Sequence, residues 1–111
     1  MKVVNNNVAQ ELTNGEFDEF IKNGTAFVDF FAEWCMPCLM MAPIIDELSE
    51  KFRGKIKFGK VNVDENKALA QKFNVMSIPN MVLFKDGKKA AQFIGAVSQD
   101  ELENKLKSFV R

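Results

Sequence analysis

"AEWCMPCLMMAP", residues 32–43, holds the chain's single Trp and both of its Cys, which lie two residues apart with a proline between them. Just before it, "TAFVDFFA" (25–32) is short, aromatic and apolar on both faces, the pattern of a strand buried on both sides. Just after it, Met41, Ile45, Leu48 and Phe52 recur at helical spacing, with Asp46, Glu47, Glu50 and Lys51 on the opposite, solvated face. The Cys pair therefore falls at the turn from a central strand into a long helix.

That placement has chemical consequences. A helix start presents unpaired N–H groups and a partial positive charge, which favour a thiolate over a thiol. Cys35 is expected at the cap, and Pro37 suits the first turn because its missing N–H is not needed there. Cys38 lies about one turn further on and points back to the same region, so the two sulfurs can close a disulfide without dragging the backbone. The thiolate is the attacking species, which makes Cys35 the candidate nucleophile and Cys38 the resolving thiol. A zinc or iron–sulfur site needs about four ligands, and one Cys pair with no His supplies two. Inert core Cys is the other bland alternative. Met40 and Met41 read as core packing rather than as a copper site.

Outward from the pair, elements alternate. Asn5–Leu12 is a weak strand, and Thr13 and Glu16 stand at capping-box spacing before the apolar stripe Phe17, Phe20, Ile21. "KIKFGKVNV" (55–63) is another strand, and Asn66 caps a helix through Phe73. "NMVLF" and "AAQFIG" flank "KDGK", whose Asp86-Gly87 marks a hairpin. Ser98 and Glu101 form a second capping box, followed by Leu102, Leu106, Phe109 and Val110. The order βαβαβαββα implies an α/β fold with a mixed five-stranded sheet and helices on both faces.

Composition excludes several classes. The 111 residues suit one domain, 1–111, with 47% hydrophobic and 27% charged residues. Fifteen Lys and Arg balance fifteen Asp and Glu, so no basic excess points to nucleic acid. "MKVVNNNVAQ" carries no apolar segment of signal-peptide length and nothing in the chain suits a bilayer, so a cytoplasmic home is expected.

Five motifs in order resemble the thioredoxin family: "VDFFAEWCMPC", "MAPIIDELSEKF", "KVNVDEN", "SIPNMVLFKDGK" and "FIGAVSQDEL". A Cys-x-x-Cys near a βαβ unit is itself a thioredoxin-like signature. The resemblance implies a thioredoxin fold and a protein dithiol–disulfide oxidoreductase with a reversible Cys35–Cys38 disulfide. It further implies no bound cofactor or metal, a monomer, and a role in electron transport and cell redox homeostasis. Its partners would be a thioredoxin reductase and disulfide-containing proteins, such as peroxiredoxin-type or reductase-type clients.

Further residues take roles from the same resemblance. Asp29 lies in an apolar strand, where burial would raise its pKa and let it exchange a proton near neutrality. The resemblance makes Cys38 its partner in that exchange. Lys60 shares strand parity with Ile56 and Phe58, and the resemblance implies that it tunes Asp29. Ile78–Pro79 would be a cis bond beside the disulfide, while Trp34, Met36, Pro37, Ile78 and Gly95 would frame a docking patch. Pro43 reads as a structural bend in the helix. The chain departs from the family pattern with Met36 for Gly, Leu39 for Lys, Phe31 for Trp and Asn80 for Thr. A glutaredoxin-like or oxidase/isomerase role, and a pure binding module, stay open beside the main reading. Changing both Cys to Ser separates the last of these.

Overall fold

The structure, a computed structural model, describes residues 9–110. Strand β1 (Gln10–Glu11) leads to helix α1 (Asn14–Ile21), then β2 (Thr25–Phe31), α2 (Met36–Lys51) and β3 (Lys57–Asn62). Helix α3 (Lys67–Lys72), the hairpin β4 (Asn80–Lys85) and β5 (Lys88–Ile94), and α4 (Gln99–Lys107) complete the expected βαβαβαββα order. The five strands form one sheet in the order β1-β3-β2-β4-β5. β3 runs parallel to β1 and β2, whereas β4 is antiparallel to both β2 and β5. The sheet is therefore mixed, with β2 at its centre.

Strand β2 divides the core because successive side chains point to opposite faces. Ala26, Val28 and Phe30 join Phe17, Ile21 and Leu69 beneath α1 and α3. Phe27 points the other way and joins Met41, Ile45, Leu48, Leu102 and Leu106 beneath α2 and α4. Full burial of side chains of this size is worth about 1.5–3 kcal/mol each. Two separate apolar layers thus clamp the sheet. Asp29 shares the parity of Phe27, so a carboxylate enters the α2 side of that core.

Several local expectations are refined. The first strand is confined to Gln10–Glu11, and the Asn5–Val8 part of the expected Asn5–Leu12 strand lies outside the described residues. At α1 the Thr13 N–H donates to Glu16 Oε1 at 2.9 Å, as the capping spacing requires. Asn66 occupies the N-cap position of α3, but its side chain does not cap that helix. Its Oδ1 instead accepts from the Asn14 N–H at 3.1 Å, so it ties α3 to the start of α1. Asp86 and Gly87 have φ of 50° and 87°, the doubly positive pair of a type I′ turn. Met41 is buried as core packing, but Met40 is 64% exposed, because one helical step of about 100° turns it to solvent.

Candidate active site at the start of helix α2

The carboxyl end of β2 delivers the chain to the α2 N-terminus, where the orphan N–H groups of the helix are concentrated. Cys35 is the N-cap, with extended φ and ψ of −91° and 108°. Its sulfur accepts the Cys38 N–H at 3.2 Å, which directs a helix-terminal donor at Sγ. Met36 and Pro37 fill the first two helical positions, where the missing Pro N–H costs no bond. Cys35 and Cys38 form a disulfide with Cα atoms 5.2 Å apart, inside the usual range for such a bridge. Each Cys is only 4% exposed, so accessibility alone does not separate them. Their surroundings do. Cys35 Sγ lies 3.9 Å from the Ile78 carbonyl oxygen, towards the surface loop, whereas Cys38 lines a cavity behind it.

That cavity, about 120 Å³, is bounded by Cys38, Ala42 and Asp46 on α2 and by Asp29 and Lys60 on the sheet. Asp29 and Lys60 are register partners across the parallel β2–β3 pair, so both side chains face α2. Asp29 is 5% exposed, and its buried Oδ1 has no hydrogen-bond partner among the described residues. Burial pushes its carboxyl up to about 7, with the Lys60 charge opposing that rise. The Lys60 ammonium also lies 5.5 Å from the centroid of the Phe31 ring, a cation–π contact that confines it to this corner.

The rim is apolar and held by polar ties. Trp34 is 70% exposed, and its Nε1–H donates to Asp64 Oδ2 at 2.9 Å. Met36 is 66% exposed beside it. Ile78–Pro79 is a cis peptide bond, as the resemblance implied. The Pro79 carbonyl accepts the Gly95 N–H at 2.8 Å, and Gly95 has φ of 87°, a conformation that suits glycine. Gly95 thus joins the end of β5 to the loop before β4.

Sequence reasoning missed three members of this neighbourhood. Asp64 anchors Trp34 from the turn after β3, a contact no local pattern announces. Buried Asn80 accepts from Gln92 Nε2 at 2.9 Å, a cross-strand pair visible only once the hairpin register is known. Asp46, expected on the solvated face of α2, instead lines the cavity. Cys38, Ala42 and Asp46 stand at i, i+4 and i+8, so their shared stripe could be read from the sequence, but the cavity it faces could not.

A disulfide that spans the first turn of a helix, with a carboxyl group of near-neutral pKa behind its inner sulfur, is built for dithiol–disulfide exchange. The site defines a dithiol–disulfide oxidoreductase. The Thioredoxin family model matches residues 8–108. A thioredoxin of Staphylococcus haemolyticus is 43% identical over 96 residues, covering 86% of this chain and 92% of that protein. A thioredoxin of Staphylococcus aureus is 40% identical over the same extent. Among solved structures, a single-substitution mutant of a thioredoxin from Halobacterium salinarum superposes with a TM-score of 0.87 at 29% identity, covering 99% of this chain and 97% of that one. The chain belongs to the thioredoxin family. It is a protein-disulfide oxidoreductase carrying the family's redox-active Cys pair, and disulfide substrates and a reductase go with that family. Among the described residues no group of three or more His, Cys, Asp or Glu comes together as a metal site, and no helix is long and apolar enough to cross a membrane.

Proposed function

We propose that the chain, as one domain over residues 1–111, reduces protein disulfides in the cytoplasm as a monomer with no bound cofactor, and is re-reduced by a thioredoxin reductase. The observation that carries the reading is the Cys38 N–H pointing at Cys35 Sγ at the head of α2, since that donor and the helix dipole favour a thiolate there. In the reduced protein the Cys35 thiolate attacks one sulfur of a substrate disulfide. The other substrate sulfur leaves as a thiolate, and a mixed disulfide forms. Cys38 then passes its proton to the Asp29 carboxylate and attacks Cys35 Sγ. The Cys35–Cys38 bond forms, the second substrate thiolate leaves, and two electrons have moved to the substrate.

The other residues support these steps. Lys60 opposes the burial of the Asp29 charge and so tunes its affinity for the proton. Trp34, Met36, Pro37, Ile78 and Gly95 form the patch on which an extended substrate segment docks, with Pro79 setting the loop beside Cys35. Peroxiredoxin-type and reductase-type proteins are fitting clients. Insulin-disulfide reduction, run with candidate reductases, tests the activity, and a chain that no thioredoxin reductase restores would overturn the partner assignment. The nucleophile is tested separately. Partial alkylation of the reduced protein near neutral pH, followed by peptide mapping, should find Cys35 labelled first. Because the two Cys are equally buried, that preference would report thiolate character, and preferential labelling of Cys38 would reverse the assignment.

A further inference from the structure

Among the described residues, Asp46 is the one charged group lining the cavity behind Cys38 to which the exchange steps assign no part. It projects from α2 on the stripe of Cys38, and the small Ala42 between them leaves the cavity open along the helix. Lys60 lines the same space, and its charge acts on both carboxyl groups. Burial pushes the Asp46 carboxyl upward, and it is held back by Lys60 and by a hydrogen bond from the Ala9 backbone. Among the described residues, the charged and titratable groups around Asp29 are therefore few. They are Lys60 from β3, and Cys38 and Asp46 from α2, while β4 presents the apolar Met81 in register with Asp29. Glu11 of β1 is in register with Lys60, but it is exposed at the sheet edge and does not line the cavity.

We propose that Asp46 is a positioning residue for the proton transfer: its carboxylate divides the charge of Lys60 with Asp29 and thereby sets how readily Asp29 accepts the proton of Cys38. A flexible ammonium drawn toward two carboxylates sits further from each than it would from one alone, and its attraction for each falls with that distance. Asp46 also adds a negative charge on the opposite wall of the same cavity. Both effects favour the protonated form of Asp29. This inference rests on Asp29 as the proton acceptor for Cys38, a role tested independently by the kinetics of Asp29→Asn.

The test is the protonation midpoint of Asp29, followed by NMR of its carboxyl carbon in the oxidised full chain, with Asp46→Asn and Asp46→Glu beside the parent. Asp46→Asn should lower the midpoint by at least about half a pH unit, roughly threefold in proton affinity. Asp46→Glu, which keeps the charge, should hold it near the parent value. The pH profile of mixed-disulfide resolution should move to lower pH with it. In a Lys60→Met background the same Asp46→Asn change should shift the midpoint less, because no shared cation is left. An unchanged or raised midpoint in Asp46→Asn, an Asp46→Glu variant that behaves like Asn, or an equal shift in both backgrounds overturns the proposal. Failure of Asp29→Asn to slow resolution would remove the catalytic reading while leaving these midpoints interpretable.

Discussion

Asp29 makes the stability of the protein depend on pH, because the Lys60 charge only partly offsets the water that its carboxyl group loses on folding. Its pKa rises from 3.8 to about 7 on burial. The sign of the linkage follows from proton counts. Between those two values the folded state binds more protons than the unfolded state, so stability falls as pH rises. Below about pH 4 both states are protonated and Asp29 costs nothing, whereas above about pH 7 the full penalty of roughly 4 kcal/mol is present. Asp29→Asn should therefore stabilise the oxidised protein by about 2–4 kcal/mol at pH 8 and by little at pH 4, the lower figure allowing for a buried amide. Urea unfolding of parent and variant at both pH values measures this, and a parent whose stability is flat across the interval contradicts it. The same variant should slow resolution of the mixed disulfide more than its formation. Unchanged turnover from about pH 6 to 9 would remove Asp29 from proton transfer.

Elements were legible in the sequence where a repeat or a cap speaks for itself. The β2–α2 junction, the Asp86–Gly87 turn and the order of elements follow from periodicity and turn chemistry, and the Cys pair follows from the junction. Contacts between elements were not legible in that way. Asn66 looks like a cap and serves a different helix, and Asp46 looks solvated because a one-dimensional pattern does not show where the sheet leaves a cavity. Gly59 in β3 belongs to the same class. A Cβ placed on it would lie 2.8 Å from Leu12 Cδ1 and 2.9 Å from Phe20 Cε2, so the residue is glycine because α1 and the chain entering it press on the sheet there. Leu12 is fully buried, so any shift of its side chain must be taken up by the surrounding core. Gly59→Ala should destabilise the fold by about 1–3 kcal/mol through overpacking, despite the better strand propensity of alanine. Equilibrium denaturation reads this directly, and a variant as stable as the parent would mean that the α1 side of the core is loosely packed.

Across the whole molecule, the exposed large hydrophobic side chains are concentrated at one end. Among the described residues they are Trp34, Met36, Leu39, Met40, Met76 and Ile94. The first four surround the start of α2. Met76 and Ile94 line a shallow hollow with Asn80, the residue that follows the cis-proline and pairs with Phe30 at the end of β2. With the charge count balanced, net charge does not steer a partner, and the docking patch proposed above lies at this apolar end. Met36 tests that division between recognition and redox chemistry. Its side chain is two-thirds exposed on the first helical residue, beside the bridge. A Met-for-Gly difference in backbone freedom acts on the dithiol and disulfide forms alike and largely cancels in the potential. The apolar surface of Met36 does not cancel when a partner covers it. Met36→Gly should thus shift the disulfide potential by less than about 30 mV, or about 1.4 kcal/mol for two electrons, when equilibrated against a glutathione buffer. Over the same substitution, the KM for a protein substrate or for the reductase should rise severalfold. If instead the potential moved further and the partner kinetics stayed constant, Met36 would act on the thiols, and the apolar end would owe its selectivity to Trp34 and Ile94.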